Sequence, residues 1–525
     1  MFQTARRNML TLQLEPTDDL AKPLFCNAAS CAEWLKQFQL TNLQLAHSQL
    51  ITQVNELNRY PMPGLERLNT LERLRETIDH VQYDYAKKLV GKPLPLNESE
   101  LQVFVAIVQL WQTVVSGYQR CLQSYIDGDS QLAPHGALLC QRGLLYSGQA
   151  IFEHLRTGYE FNLKLWQQLH KLYAFAEQRG LQLEEIPNTL NNDALSNGPL
   201  HGNQPRSSCH AIYIKTLLAC YARPAELSRS QLQRMENWLA QWSSTVSLKR
   251  SYTTSKGDAP PLALDMDSAH GLRPVKLVTH SDSVRYLAMV PLSKLLRVKT
   301  ILLQQGKTPQ QLELGDYDRD DCVELLTFLH QCWCENRNTR ADERNPASKH
   351  AQLGYNPESI HAKMSGNVQG KMGFPVETWL VQNESLLGAQ FTCEETPVRR
   401  LSNNQLVALQ FGEAESLILG TTIWANVTRG GQLRIGVRYL PGTASAVVLR
   451  STNADSPLAG DPIPAILFQA APEFKTPSSL IIPRDWFKPG RVVDILHQNG
   501  EKQHAMMGFS VERGADYERV SFKLV

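Results

Sequence analysis

Apolar residues recur at helical spacing through the first half of the chain. From Asn97, an N-cap residue with Glu100 three positions on as in a capping box, the residues Leu101, Phe104, Val105, Val108, Trp111, Val115, Tyr118 and Leu122 form one stripe about six turns long. A second stripe, Leu155, Tyr159, Leu163, Trp166, Leu169 and Tyr173, predicts a single long helix stopping near Gly180. A third helix is signalled by Ser228 as cap, Gln231 at the third position, and Leu227 with Leu232 as a hydrophobic staple. Residues 30–60 and 65–92 add two amphipathic segments. Stripes of this kind find cover against one another, so residues 1–250 are expected to form helical hairpins, a bundle or a short solenoid. Residues 182–208, rich in Asn, Pro and Gly, read as an exposed loop.

After about residue 250 the texture changes. Residues 251–283 are rich in Pro, Gly, Ser and Thr and hold no helical period, which suits a linker with a strand or two. Helical patterns return at 286–305 and 320–335, with Thr308-Pro309 between them as a cap and first-turn proline, so 251–335 is a mixed linker and helical subdomain. Beyond residue 336 the pattern is extended. Strands are expected at 405–411, 416–427 and 432–440, the last two joined by the turn Thr428-Arg429-Gly430-Gly431. Closely spaced antiparallel strands with tight turns imply a small barrel or sandwich over 336–450. A further β-rich tail, 451–525, either makes a second unit or completes the first. The fold class is therefore α+β and multidomain, helical first and β-rich last.

Composition narrows the function more than the fold. The chain has 525 residues, 42% hydrophobic and 20% charged, with a formal net charge of +2, so it lacks the overall field of a general nucleic-acid binder. The N-terminus lacks a long apolar region with a cleavage site, and no stretch reaches the uninterrupted apolar length of a membrane helix. A cytoplasmic location is expected. Ten cysteines are spread without a CxxC pair, as buried free thiols are. The one cluster, Cys322, His330, Cys332 and Cys334, has poor ligand spacing, and neither a metal nor a cofactor is expected. No P-loop, nucleophile elbow, HExxH or paired-carboxylate motif stands in a convincing context, so no catalytic residue is assigned and an enzyme is disfavoured.

The β-rich half carries the candidate chemistry. Arg340-Ala-Asp-Glu-Arg344 is an RxxxR pair, Asn383-Glu-Ser385-Leu-Leu-Gly388 is an [D/N]xSxxG turn, and Ile435-Gly436-Val437-Arg438-Tyr439 follows on a strand. In kind and order these three resemble the ligand signature of the PilZ family. The resemblance is strongest over 335–450, and the chain resembles large proteobacterial PilZ proteins with helical N-terminal regions. It implies a PilZ-like antiparallel β-barrel that binds cyclic di-GMP through Arg340, Arg344, Asn383, Ser385 and Gly388. It also implies bacterial signalling through the helical region to an unidentified protein partner, of the surface-appendage or motility kind. An arginine fork pairs bidentately with phosphate or with guanine O6 and N7, and an Asn-x-Ser turn adds an amide, a hydroxyl and backbone N–H groups. Arg434 and Arg438 also match RxxxR, but their strand spacing makes them solvated or lining positions. The segment between Arg344 and Asn383 is longer than the family's, with extra chain around 354–366 that either displaces the arginines or forms another wall. The alternative is a helical scaffold or chaperone-like adaptor whose barrel binds no nucleotide.

Overall fold

A computed structural model describes residues 12, 14–187, 206–335, 345–366, 376–395, 397, 399–412, 416–452, 462–474 and 476–525. It divides into two compact units, the first running to Thr339 and the second comprising Lys92–Leu96, Gly158–Glu160 and Arg340–Val525.

The first unit holds α1 (Ala28–Lys36), α2 (Leu43–Arg59), α3 (Gly64–Ala86), α4 (Glu98–Ile126), α5 (Gly136–Thr157), α6 (Leu163–Gln178), α7 (Cys209–Tyr221), α8 (Arg229–Trp242), α9 (Val290–Gln304) and α10 (Arg319–Cys334). The capping boxes at Asn97 and Ser228 both form, so α4 and α8 start where their free N–H groups find side-chain acceptors. The α4 stripe packs against α2, α3 and α5. A Cβ at Gly117 would press on Asn58 and Leu71, so this small residue lets the helices approach. By length and composition α4 could cross a membrane, although it contains no long uninterrupted apolar run. With 56% of its most apolar window buried inside the protein, it is the core helix of the bundle. Glu72 gathers donors inside this unit: Arg142, fully buried, donates to it at 2.9 Å, and Tyr118 donates to the same carboxylate at 2.7 Å.

Three helical expectations are corrected. The 155–173 stripe is two helices, because Gly158 takes a left-handed φ of 72° and Asn162 caps a new start by accepting from Lys164 N–H. The 30–60 segment likewise breaks, with Asn42 capping α2. The 286–305 helix begins only at Val290, because Val284–Ala288 is drawn into a sheet. That sheet has the order β3 (Ser247–Lys249), β6 (Val284–Ala288), β4 (Leu262–Asp265), β5 (Arg273–Pro274), and a separate pair, β1 (Ile186–Pro187) with β2 (Arg206–Ser207), lies within the 182–208 segment.

The second unit contains two closed six-stranded antiparallel barrels. The first is built from β7 (Asn345–Tyr355), β8 (Val376–Ser385), β9 (Gly388–Thr392), β10 (Leu406–Phe411), β11 (Ile418–Val427) and β12 (Leu433–Tyr439). The second uses β13 (Ala444–Ser451), β14 (Ile463–Phe468), β15 (Ser479–Ile482), β16 (Val492–His497), β17 (Lys502–Arg513) and β18 (Glu518–Leu524). Around the first barrel the order is β7-β8-β9-β12-β11-β10, and around the second β13-β14-β15-β18-β17-β16, which is the same path. The extra chain around 354–366 is the end of β7 and a short helix, α11 (Pro357–Met364). Ile360 of α11 is buried in a core shared by the barrels, with Leu406, Ala408 and Leu419 from the first and Ile466, Phe468 and Ile481 from the second. Such large side chains contribute roughly 1.5–3 kcal/mol each when buried. The added segment thus finishes a barrel strand and forms a wedge between the barrels.

Candidate ligand-binding site

Strand alternation sorts the first barrel into an inner and an outer face. Val381, Phe391, Ile435 and Val437 are buried within, so their neighbours Arg434, Gly436 and Arg438 on β12 and Gly388, Gln390 and Thr392 on β9 face outward. Bulges at Val381/Asn383 on β8 and at Thr422/Trp424 on β11 shift the alternation and decide which side chains join that face.

The outer face is organised in cross-strand rows. One runs Trp424, Gly436, Gln390, Asn383 and Pro346; the next runs Thr421, Arg438, Gly388 and Ser385. Asn383, Ser385 and Gly388 therefore lie together, and Arg438 stands directly across from Gly388. The Asn383 amide donates to Gln390 Oε1 at 3.2 Å, and the Ser385 hydroxyl donates to the Gly388 carbonyl at 3.2 Å, bridging the exposed two-residue turn Leu386-Leu387. A Cβ on Gly388 would collide with the Val437 carbonyl oxygen, so close strand approach requires glycine there. Gly436 has a parallel reason, since a Cβ would collide with the Trp424 indole, which lies half-buried across it.

The charged groups around this face are held in pairs. Glu384, the acid inside the motif, turns the other way, opposite inward-facing Ala389, where Lys349 Nζ approaches at 2.5 Å and the Tyr439 hydroxyl donates at 3.0 Å. Arg434, in the next row with Asn426 and Thr392, pairs with Glu160, and burial holds its guanidinium below the usual value. Arg438 is half exposed and meets Glu512 of β17 at 2.8 Å through a single nitrogen. It retains other donors for a ligand.

Arg340 and Arg344 lie outside the described residues, as does Arg337. Strand β7 begins at Asn345, one position after Arg344 in sequence, and its first two residues pair with Glu384 and Asn383. Sequence reasoning discounted Arg438 and did not single out Trp424. The alternation out of the Gly430-Gly431 turn could have put Arg438 on the motif's face, whereas the bulge hides Trp424. In the cysteine cluster, His330 Nε2 is engaged by Ser293 at 3.0 Å and Arg297 at 3.1 Å, and Cys332 accepts from Arg223 at 3.3 Å. Among the described residues no group of three or more His, Cys, Asp or Glu is placed to hold a metal.

This face offers a cation, an amide, a hydroxyl and an aromatic plane, the set that suits a phosphate-bearing purine ligand. Residues 29–253 match the family model described as the N-terminal domain of the cyclic-di-GMP receptor FimW. Residues 447–525 match the model of the FimW C-terminal beta-barrel domain, which coincides with the second barrel. A relative described as the cyclic-di-GMP receptor FimW, from Pseudomonas aeruginosa, is 20% identical over an alignment covering 94% of this chain and 90% of the relative. The two matched segments are therefore similar to FimW at the helical region and at the last barrel, and the motif-bearing barrel lies between them.

Proposed function

We propose that this chain is a cytoplasmic receptor for cyclic di-GMP that takes the dinucleotide on the outer face of its PilZ-like first barrel and relays the signal through its helical region to a protein partner. The observation that carries the proposal is the convergence of Asn383, Ser385, Gly388 and Arg438 in adjacent rows of one sheet face. The likeness to FimW supports the ligand class. Asn383 and Ser385 add neutral hydrogen bonds, and bare Gly388 lets the ligand approach the strand. By the PilZ resemblance Arg340 and Arg344 contact the ligand together with them. These two arginines follow α10 in sequence, so a ligand that contacts them acts on the connection between the helices and the barrel. It thereby biases what the partner meets, provided it binds one arrangement better than the other.

Calorimetric titration of the full chain with cyclic di-GMP tests this. Saturable binding that weakens with added salt is expected, because phosphates are being neutralised. Arg344→Ala is expected to weaken it roughly ten- to a hundredfold, the worth of a charge-assisted hydrogen bond. Absence of binding at high micromolar ligand would instead favour a helical scaffold whose barrel binds only protein.

A further inference from the structure

We infer that the second barrel completes the ligand site, and that Glu512, held beside Arg438, selects guanine over other purines. The inference rests on the proposal that the first barrel takes cyclic di-GMP. It begins with the row Thr421, Arg438, Gly388, Ser385, whose two ends differ. At the Ser385 end the Leu386-Leu387 turn is exposed. At the Thr421 end the second barrel closes in: Tyr517 meets the Thr421 hydroxyl at 2.8 Å, and Glu512 meets Arg438 at 2.8 Å.

Glu512 stands between two arginines. Its strand partner across β17 and β18 is Arg519, which is only 4% exposed, donates through Nε to Ser479 at 2.8 Å, and leaves its buried Nη2 with no hydrogen-bond partner. Fixing the hydrophobic core alone does not call for a buried guanidinium with an unmet donor beside a carboxylate and a second, half-exposed guanidinium. A ligand edge bearing both acceptors and donors would use the carboxylate and the half-exposed guanidinium together.

Guanine has that edge. Its O6 and N7 accept from an arginine fork, while N1–H and the N2 amino group donate together to a carboxylate. Adenine presents an amino group where guanine has O6 and an acceptor at N1, which a carboxylate repels. Arg438 alone would favour purines with an O6, and Glu512 adds the demand for the N2 amino group. In this arrangement the ligand inserts into an ion pair that joins the barrels, which makes the second barrel part of the receptor site.

Three nucleotides separate the possibilities in titrations of the full chain: cyclic di-GMP, cyclic di-IMP, which lacks only the N2 amino groups, and cyclic di-AMP. The native protein is expected to prefer cyclic di-GMP over cyclic di-IMP by roughly tenfold or more, as for a hydrogen bond to a charged acceptor. Glu512→Gln, which keeps the shape, is expected to shrink that preference to within about twofold. Equal affinity of the native chain for the two nucleotides would overturn the inference while leaving the receptor proposal standing, and it needs no variant to fold. A preference unchanged in a folded Glu512→Gln protein would do the same. Failure of the native chain to bind any of the three would remove both.

Discussion

The two barrels follow one strand path and differ in what they place on the same faces. Strand β9 opens with Gly388, pressed against the β12 backbone, with Arg438 across from it; the corresponding strand β15 opens with Ser479, paired with Ser521. In the first barrel the hairpin at this point is a two-residue turn flanked by Asn383, Ser385 and Gly388, whereas in the second the connection runs from 469 to 478 and includes a 3-10 turn, Pro472–Phe474. The outer residues Ile466, Phe468 and Ile481 of the second barrel are buried in the shared core, while the motif rows of the first keep an exposed edge. On the matching strand pairs β8–β9 and β14–β15, one topology thus serves as a polar face in one copy and as packing in the other. The path fixes neither role; the residues at the outward positions do.

The largest effect that would break this contrast is steric. Gly388→Val is expected to destabilise the first barrel by roughly 1–3 kcal/mol and to abolish nucleotide binding, because a Cβ has no room at the Val437 carbonyl. Ser479→Ala at the corresponding position leaves the first barrel intact and should lower affinity by only about three- to tenfold, through the Arg519 guanidinium whose Nε donates to its hydroxyl. Thermal unfolding and calorimetry on both variants measure the difference. Next, Arg438→Ala is expected to weaken cyclic di-GMP binding roughly ten- to a hundredfold, while Ser521→Ala, its register counterpart, leaves it unchanged. Equal losses in the two would mean that the barrels do not divide their roles. Asn383→Ala is expected to cost about three- to tenfold in affinity, the range of a neutral hydrogen bond.

The smallest effect concerns pH. Hydrogen bonding from Lys502, with the charges of Lys502 and His504 adding to it, holds the Asp494 carboxyl on the second barrel below the ordinary carboxylate range. A lowered acid contributes stability that is present above its unfolded pKa and lost as pH falls through the folded one, so the increment disappears below about pH 4. Asp494→Asn should flatten that part of the unfolding curve slightly and leave nucleotide binding at neutral pH untouched.

Much of this was legible in the sequence where local chemistry decides. The boxes at Asn97 and Ser228 form because a cap needs only four consecutive residues. The Thr428 turn and its flanking strands were readable for the same reason. What escaped depends on tertiary placement. A helical stripe continues past residue 158 in sequence, but Gly158 and Asn162 break it, and nothing in the period itself records that break. Strand β7 is polar and begins with Asn-Pro, so only its place between β8 and β10 reveals it as a barrel strand. The candidate face was half legible: Asn383, Ser385 and Gly388 are contiguous. Arg438 and Trp424 join them through register and a bulge, and a slip of one residue would turn either inward.

Hydrogen exchange on the full chain, with and without cyclic di-GMP, tests the central claim most directly. The account predicts added protection at 381–392 and at 433–439, around the β8–β9 hairpin and β12, with the β14–β15 connection at 469–478 unchanged. Protection centred on 469–478, or none in either barrel at saturating ligand, would contradict it.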